Sequence, residues 1–226
     1  TNVPSIASTV RANPSAGFSI VSYTGNSVNN TTIGHGLNTA PQLIITKNRD
    51  GAYNWITYSA ELAATKVLAL DGTYAAFTPS GGYYSNVGSS TYQVVQGSAN
   101  LTNLNNSGDD YIAYCFAPVE GYSAFGSYEG NSNDNGPFVF TGFRPSWLLI
   151  KVTGTSNDWV IHDNKRDTFN ASDTVLKPNT SGSEDTSTSN HVDFLSNGFK
   201  IRNSQQKWNA GYTYVYAAFA ENPFQN

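Results

Sequence analysis

The chain is written twice. Tyr23-Thr24-Gly25-Asn26 returns as Tyr128-Glu129-Gly130-Asn131, an offset of 105 residues. Pro41 to Lys47 returns as Pro145 to Lys151, and Asn54-Trp55 as Asp158-Trp159, both at an offset of 104. Gly108 to Ala117 aligns with Gly211 to Ala220 at 103. An offset that drifts this little across so long a stretch describes one unit that was duplicated and fused. A residue kept in both copies then serves the unit, and one present in a single copy is free to serve something else. The expected organisation is an extended leader or linker over residues 1–17, containing Pro4 and Pro14, a first repeat over 18–120 and a second over 121–226. Each repeat is long enough to bury a core of its own.

The predicted fold class is all-β, two tandem, duplicated antiparallel β-sandwich units of jelly-roll or lectin-like type. Aromatics make up 13 % of the chain and charged residues only 12 %, a composition that favours short strands and polar turns. Short apolar runs such as Phe18 to Tyr23, Leu43 to Lys47, Tyr111 to Phe116, Trp147 to Lys151 and Tyr212 to Phe219 are bounded by Gly, Asn, Pro or Asp. Leu43 to Ile45 and Trp147 to Ile150 are apolar at every position, which predicts central strands covered on both sides. Gly198 to Arg202 alternates and predicts one wet face. With a net charge of −4 and no run of Lys or Arg, the counterion-release term that drives nucleic-acid binding has little to act through. Nucleic acid is not an expected partner. No apolar run approaches the roughly 20 residues a bilayer-spanning helix needs, so membrane insertion is not expected either. A chain that starts at Thr1 and contains no Met is expected to be a processed product or part of something longer.

The titratable residues give no catalytic template. His35, His162 and His191 are far from one another and from Cys115 in sequence, and no metal-ligand, nucleophile-elbow or phosphate-cradling motif is present. Cys115 is matched by Ala218, which reads as a small inert core position. The paired carboxylates Asp109-Asp110 and Glu184-Asp185 fall in turns without alternating ligand spacing. The expectation is a non-enzymatic protein with no metal and no cofactor, calcium being the single ion these turns leave open.

Aromatic residues carry more. Trp55 matches Trp159 and Phe116 matches Phe219, so all four are expected as core anchors. Lys47 and Lys151 match as well, and are expected to lay their stems on apolar surface with the ammonium groups in water. Tyr53, Tyr83, Tyr84 and Trp208 have no aromatic twin in their loops. With Asn86, Gln205 and Gln206 as amide neighbours they form the candidate site, which serves either a glycan or a protein interface. Tyr83, Tyr84 and Asn86 belong to Gly81 to Gly88, a stretch peculiar to the first half.

Several phrases carry a resemblance: Ala16 to Asn26, Gly34-His35-Gly36-Leu37 followed by Pro41, Phe138 to Pro145, Phe194 to Lys200, and Ala218 to Phe224. Over nearly its whole length the chain resembles an uncharacterised duplicated domain of tailed phages, mostly marine, found in virion proteins such as tail fibres. The resemblance implies a location on the virion surface, in a tail fibre, a spike or a capsid decoration. It implies as partners other virion proteins or further copies of the chain, a trimer by analogy with fibres, and it transfers no site residue. The leading expectation is attachment to host-surface glycans. The alternative is a purely structural decoration or cement protein, and a carbohydrate-active enzyme ranks last.

Overall fold

The computed structural model describes residues 3–80, 82–96 and 104–223, so Gly81, residues 97–103 and the two chain ends lie outside the described residues. The chain forms two compact units. Unit 1 comprises Thr1–Leu70 and Ala76–Pro118, and unit 2 comprises Asp71–Ala75 and Val119–Asn226.

Unit 1 contains β1 (Ser8–Asn13), β2 (Phe18–Thr24), β3 (Thr31–Gly34), β4 (Leu43–Asn48), β5 (Ile56–Ser59), β6 (Leu68–Ala69), β7 (Gly82–Ser85), β8 (Thr91–Gln96) and β9 (Asp110–Phe116). They make a six-stranded sheet in the order β1-β2-β9-β4-β5-β6 and a three-stranded sheet in the order β3-β8-β7. Unit 2 contains β10 (Ser123–Glu129), β11 (Phe138–Phe140), β12 (Pro145–Val152), β13 (Val160–Asp163), β14 (Val175–Leu176), β15 (Val192–Leu195), β16 (Gly198–Ile201) and β17 (Thr213–Ala220). Its sheets run β10-β17-β12-β13-β14 and β11-β16-β15. Apart from β1, each strand of unit 1 has a counterpart at the same place in unit 2, and all the ladders are antiparallel. Each unit is an antiparallel β-sandwich.

Alternation sets the inner faces. In β2, Val21 and Tyr23 turn into the core while Phe18, Ile20 and Ser22 are half-buried on the other face. β4 and β12 are central strands, as their unbroken apolar runs predict, and in β16 Phe199 and Ile201 are buried while Lys200 is not. Cys115 and its counterpart Ala218 are both fully buried, and burial pushes the thiol up to about 12.

The leader departs from expectation. Instead of linking, residues 8–13 pair in full register with β2 as the outermost strand of the large sheet, from Ser8 opposite Tyr23 to Asn13 opposite Phe18. Just before them, Ser5 and Ile6 bond to Thr32 on the small sheet. The edge of β2 offers unpaired backbone groups, and the leader supplies partners for them.

The repeated sequence motif builds the same bracket in each unit. Tyr23 and Tyr111 face each other across β2 and β9 with rings stacked 4.9 Å apart; Tyr128 and Tyr214 do so at 5.0 Å. Tyr23 Oη donates to Leu104 O and Tyr128 Oη to Trp208 O, both at 2.8 Å. Asn26 N–H donates to Asn105 Oδ1 at 2.9 Å, and Asn131 N–H to Asn209 Oδ1 at 2.8 Å. Between tyrosine and asparagine stands Gly25 or Gly130, where an added Cβ would lie 2.0 Å from Asn106 O or 1.9 Å from Ala210 O. Gly25→Ala and Gly130→Ala are each expected to cost about 1–3 kcal/mol by forcing backbone apart. Gly182→Ala, where the only neighbour is a hydroxyl 3.7 Å away, is the control, and thermal unfolding of all three variants is the measurement.

The matched lysines differ from their expected placement. Lys47 is half-buried and donates to Tyr53 O. Lys151 is fully buried and donates to Asn157 O at 2.8 Å and to Thr73 O at 3.1 Å, so carbonyls replace the expected water. Burial lowers its pKa to about 8, with the Asp158 carboxylate pulling the other way.

Among the four expected anchors, Trp159 is buried but stands outside the central cluster of unit 2. Trp55, Phe116 and Phe219 are half-buried on the opposite faces of the large sheets. There Trp55 stacks on Tyr114, Phe116 packs on Phe18, and Phe219 packs on Phe125 and Trp147. The one-residue alternation of β9 and β17 decides this, because Tyr111, Ala113 and Cys115 take the inner face of β9 and leave Phe116 outside.

Candidate functional site

The residues expected to form one aromatic surface divide between the units and between surface and core. Tyr84 is a correction: it is 4 % exposed, its hydroxyl donates to Ile56 O at 3.3 Å, and its ring packs on Tyr58 and Tyr92. The pleat of β7 turns Gly82 and Tyr84 inward and leaves Tyr83 and Ser85 half-exposed. Trp208 is the second correction. It is 1 % exposed, and by the bond from Tyr128 its counterpart is Leu104, an apolar residue equally buried in unit 1. Tyr53 is half-buried, its ring lying where a Cβ on Gly51 would come within 2.2 Å. Asn86 is bound to Gln93 Oε1 at 2.5 Å. Gln205 and Gln206 are exposed, and Gln206 Oε1 accepts from Asn157 Nδ2 at 3.1 Å.

What remains in unit 1 is a polar cleft of about 400 Å³ beside the small sheet, lined by residues that include Val3, Thr32, Asn86, Ser89, Ser90 and Gln93. Amides and hydroxyls dominate it, and among the described residues no aromatic ring lines it. Such a lining hydrogen-bonds to diols but lacks the flat platform that stacks on a sugar ring.

Unit 2 holds a trio, His162 and Ser172 buried and Asp167 half-buried, that resembles a hydrolase triad in composition only. Trp208 Nε1–H donates to His162 Nε2 at 2.9 Å. Indole nitrogen is only a donor, so the His162 proton sits on Nδ1, which donates to Ser172 Oγ at 3.1 Å. Ser172 Oγ–H in turn reaches Asp167 Oδ2 at 3.2 Å. A catalytic serine gives its proton to histidine; here histidine gives to serine and serine to aspartate, so no hydroxyl is activated. Burial lowers the His162 pKa to about 3 despite the nearby Asp167 charge, which removes it as a base. Burial alone would raise the Asp167 pKa, but N–H and hydroxyl donors from Thr174, Asp173 and Ser172 leave it lowered.

The turn carboxylates are occupied by donors. Asp109 accepts from Asn48 and Asn106, Asp110 from Thr24, and Asp50 from the Asp110 N–H, while Glu184 pairs with Arg166 and Asp185 with Lys177. Among the described residues no group of three His, Cys, Asp or Glu side chains could hold a metal ion.

Exposed rings lie elsewhere: Phe169 and Tyr74 are exposed in loops, and two more stand side by side at the outer edge of the small sheet in unit 2. Phe138 is 46 % and Phe140 66 % exposed, while Val139 between them is in the core. Sequence reading placed a strand here without singling out its rings. By register on β8 and β16, Thr32 and Gly34 stand where Phe138 and Phe140 do, so the rule applied to single-copy tyrosines would have found these phenylalanines as well.

Fold and surface together define a two-unit antiparallel β-sandwich protein with an aromatic sheet edge and a polar cleft. The chain belongs to the family described as Domain of unknown function (DUF7483), whose model matches residues 1–223, through the leader and both units. No curated protein and no solved structure matches it.

Proposed function

We propose that the chain is a non-enzymatic module of a tailed-phage virion surface that works by protein contact, as a fibre, spike or decoration component. The virion assignment comes from the sequence resemblance. The observation that carries the contact role is the pair of exposed phenylalanines on a sheet edge with no partner strand among the described residues, where the equivalent edge of unit 1 is occupied by the leader. Exposed rings on an open edge invite pairing with another chain, a liability that a fold keeps where the contact is used. Particles produced without this chain should be assembled in lower yield or fall apart more readily. Normal, stable particles that fail only in adsorption to cells would overturn the assembly role.

A second reading, attachment to a host-surface glycan, is favoured by the hydroxyl- and amide-lined cleft of unit 1. Weak single-site binding multiplied by roughly 10²–10⁴ through linked copies would suffice for adsorption. Asn86→Ala/Gln93→Ala should then reduce adsorption with folding unchanged; normal adsorption by that variant would remove the cleft from consideration.

A further inference from the structure

We propose that the edge of β11 pairs with the same edge of a second copy of the chain, antiparallel and centred on Val139. The inference rests on the protein-contact role above and names the partner.

The phase of the hydrogen bonds sets what the edge offers. Ile201 N–H donates to Pro137 O and Thr141 N–H to Asn197 O, so residues 137, 139 and 141 turn their backbone groups towards β16. Phe138 and Phe140, at the alternate positions, point theirs away from it. Among the described residues β16 is the only strand paired with β11. In unit 1 the same outward groups are taken: Thr32 N–H donates to Ser5 Oγ at 2.7 Å, Ile6 N–H to Thr32 O at 3.2 Å, and Ser8 Oγ–H to Gly34 O at 3.3 Å. The edge geometry therefore accepts an added extended segment, and one is seen seated on it.

The residues say which segment unit 2 takes. The leader fits against Gly34 closely, since even a Cβ there would come within 3.0 Å of Pro4 Cγ, and phenylalanine at the corresponding place excludes a leader-like cover. What fits two rings on one face of an edge strand is a matching pair of rings. A two-fold axis through Val139 sets Phe138 of each copy opposite Phe140 of the other, with N–H and C=O exchanged in each pair and all the rings on one face. No other sequence is required. The charged side chains nearest the edge are engaged within the unit, Lys200 beside Phe138 with Gly136 O at 2.7 Å and Asp193 with Arg202. A strand this short buries far less than the roughly 1,200 Å² of a stable dimer, so the pairing is weak singly and effective between copies held close together on a particle.

Opposed residues of such a ladder have Cα atoms about 5.5 Å apart, within disulfide range, whereas diagonal positions are about 7–8 Å apart and outside it. The test uses the full chain in a Cys115→Ala background, alanine being the residue at the matching place in unit 2. Mixing Phe138→Cys protein with Phe140→Cys protein under mild oxidation should yield a covalent dimer at least tenfold above that of either variant alone, with peptide mapping placing the link between positions 138 and 140. A second variant, Phe138→Thr/Phe140→Gly, installs the unit 1 residues and should weaken self-association by tenfold or more in sedimentation. Equal cross-linking alone and mixed, or self-association unchanged in that variant, overturns the proposal. A wild-type protein that stays monomeric when concentrated, while the variant loses its place in the particle, also overturns it and assigns the edge to a strand of another protein. Loss of cross-linking leaves the particle-yield experiment unaffected, so the two readings fail separately.

Discussion

Trp208→Ala is expected to destabilise unit 2 by about 3–5 kcal/mol, a large part of the roughly 5–15 kcal/mol that holds a domain together. The indole is packed in the core of unit 2, and truncation opens a cavity that β-sheet walls on both sides close poorly. It also strips the donor from His162 Nε2, leaving a buried acceptor unsatisfied. Trp208→Leu separates the two costs, because leucine is what unit 1 carries at the matching place, Leu104, and it refills part of the volume without restoring the hydrogen bond. Urea unfolding is the measurement, with a lowered midpoint at unchanged slope as the expected result. A wild-type midpoint for Trp208→Ala would overturn its place in the core.

Acid should loosen the fold well before its carboxylates are protonated. His162 has a pKa near 3 in the folded chain and about 6.5 once unfolded, so between those values the unfolded chain binds the extra proton. The stability that depends on neutral His162 is complete above about pH 6.5 and falls by about 1.4 kcal/mol for each pH unit below it, until the folded histidine itself titrates. His35 in unit 1, lowered by burial against the opposing effect of its bond to Gly88 O, acts in the same direction. Asp167 and Asp185 are held below their ordinary range and so lose their contributions only at lower pH. The loss between about pH 6.5 and 4.5 is therefore assigned to His162 and His35. His162→Gln should flatten the stability profile of unit 2 there, and an equally steep profile in the variant would disprove the assignment.

Much of the architecture was legible because the repeat supplied its own comparison. The all-β class, the central strands β4 and β12, the half-wet β16 and the inert Cys115 follow from alternation and from matched positions. The site was read less well, for a definite reason. Treating a residue without an aromatic twin as surplus to the core ignores that leucine and tryptophan can fill matching places, as Leu104 and Trp208 do. In sequence Gly82–Ser85 looks like a loop, which hides the pleat that turns Tyr84 inward. The leader's pairing with β2 could not come from the repeat, since β1 has no second copy. Lys151 shows a further limit: the carbonyl of Thr73 that helps to hold it is distant in sequence and carries no side-chain signal.

One small asymmetry between the units bears on how such a chain avoids going wrong. At the end of the β2–β9 ladder Thr24 Oγ1 donates to Asp110 Oδ1 at 2.8 Å, and at the end of the β10–β17 ladder Thr213 Oγ1 donates to Glu129 Oε1 at 2.6 Å. Acid and hydroxyl have changed sides. If the nascent chain crossed its repeats and laid β10 against β9, Glu129 would stand opposite Asp110, two carboxylates face to face, and β2 against β17 would leave two threonines with no acid between them. Tandem units of one fold are prone to this kind of mispairing. The exchange makes the crossed pairing of β10 with β9 electrostatically poorer than either pairing within a unit, since like charges directly opposite are destabilising.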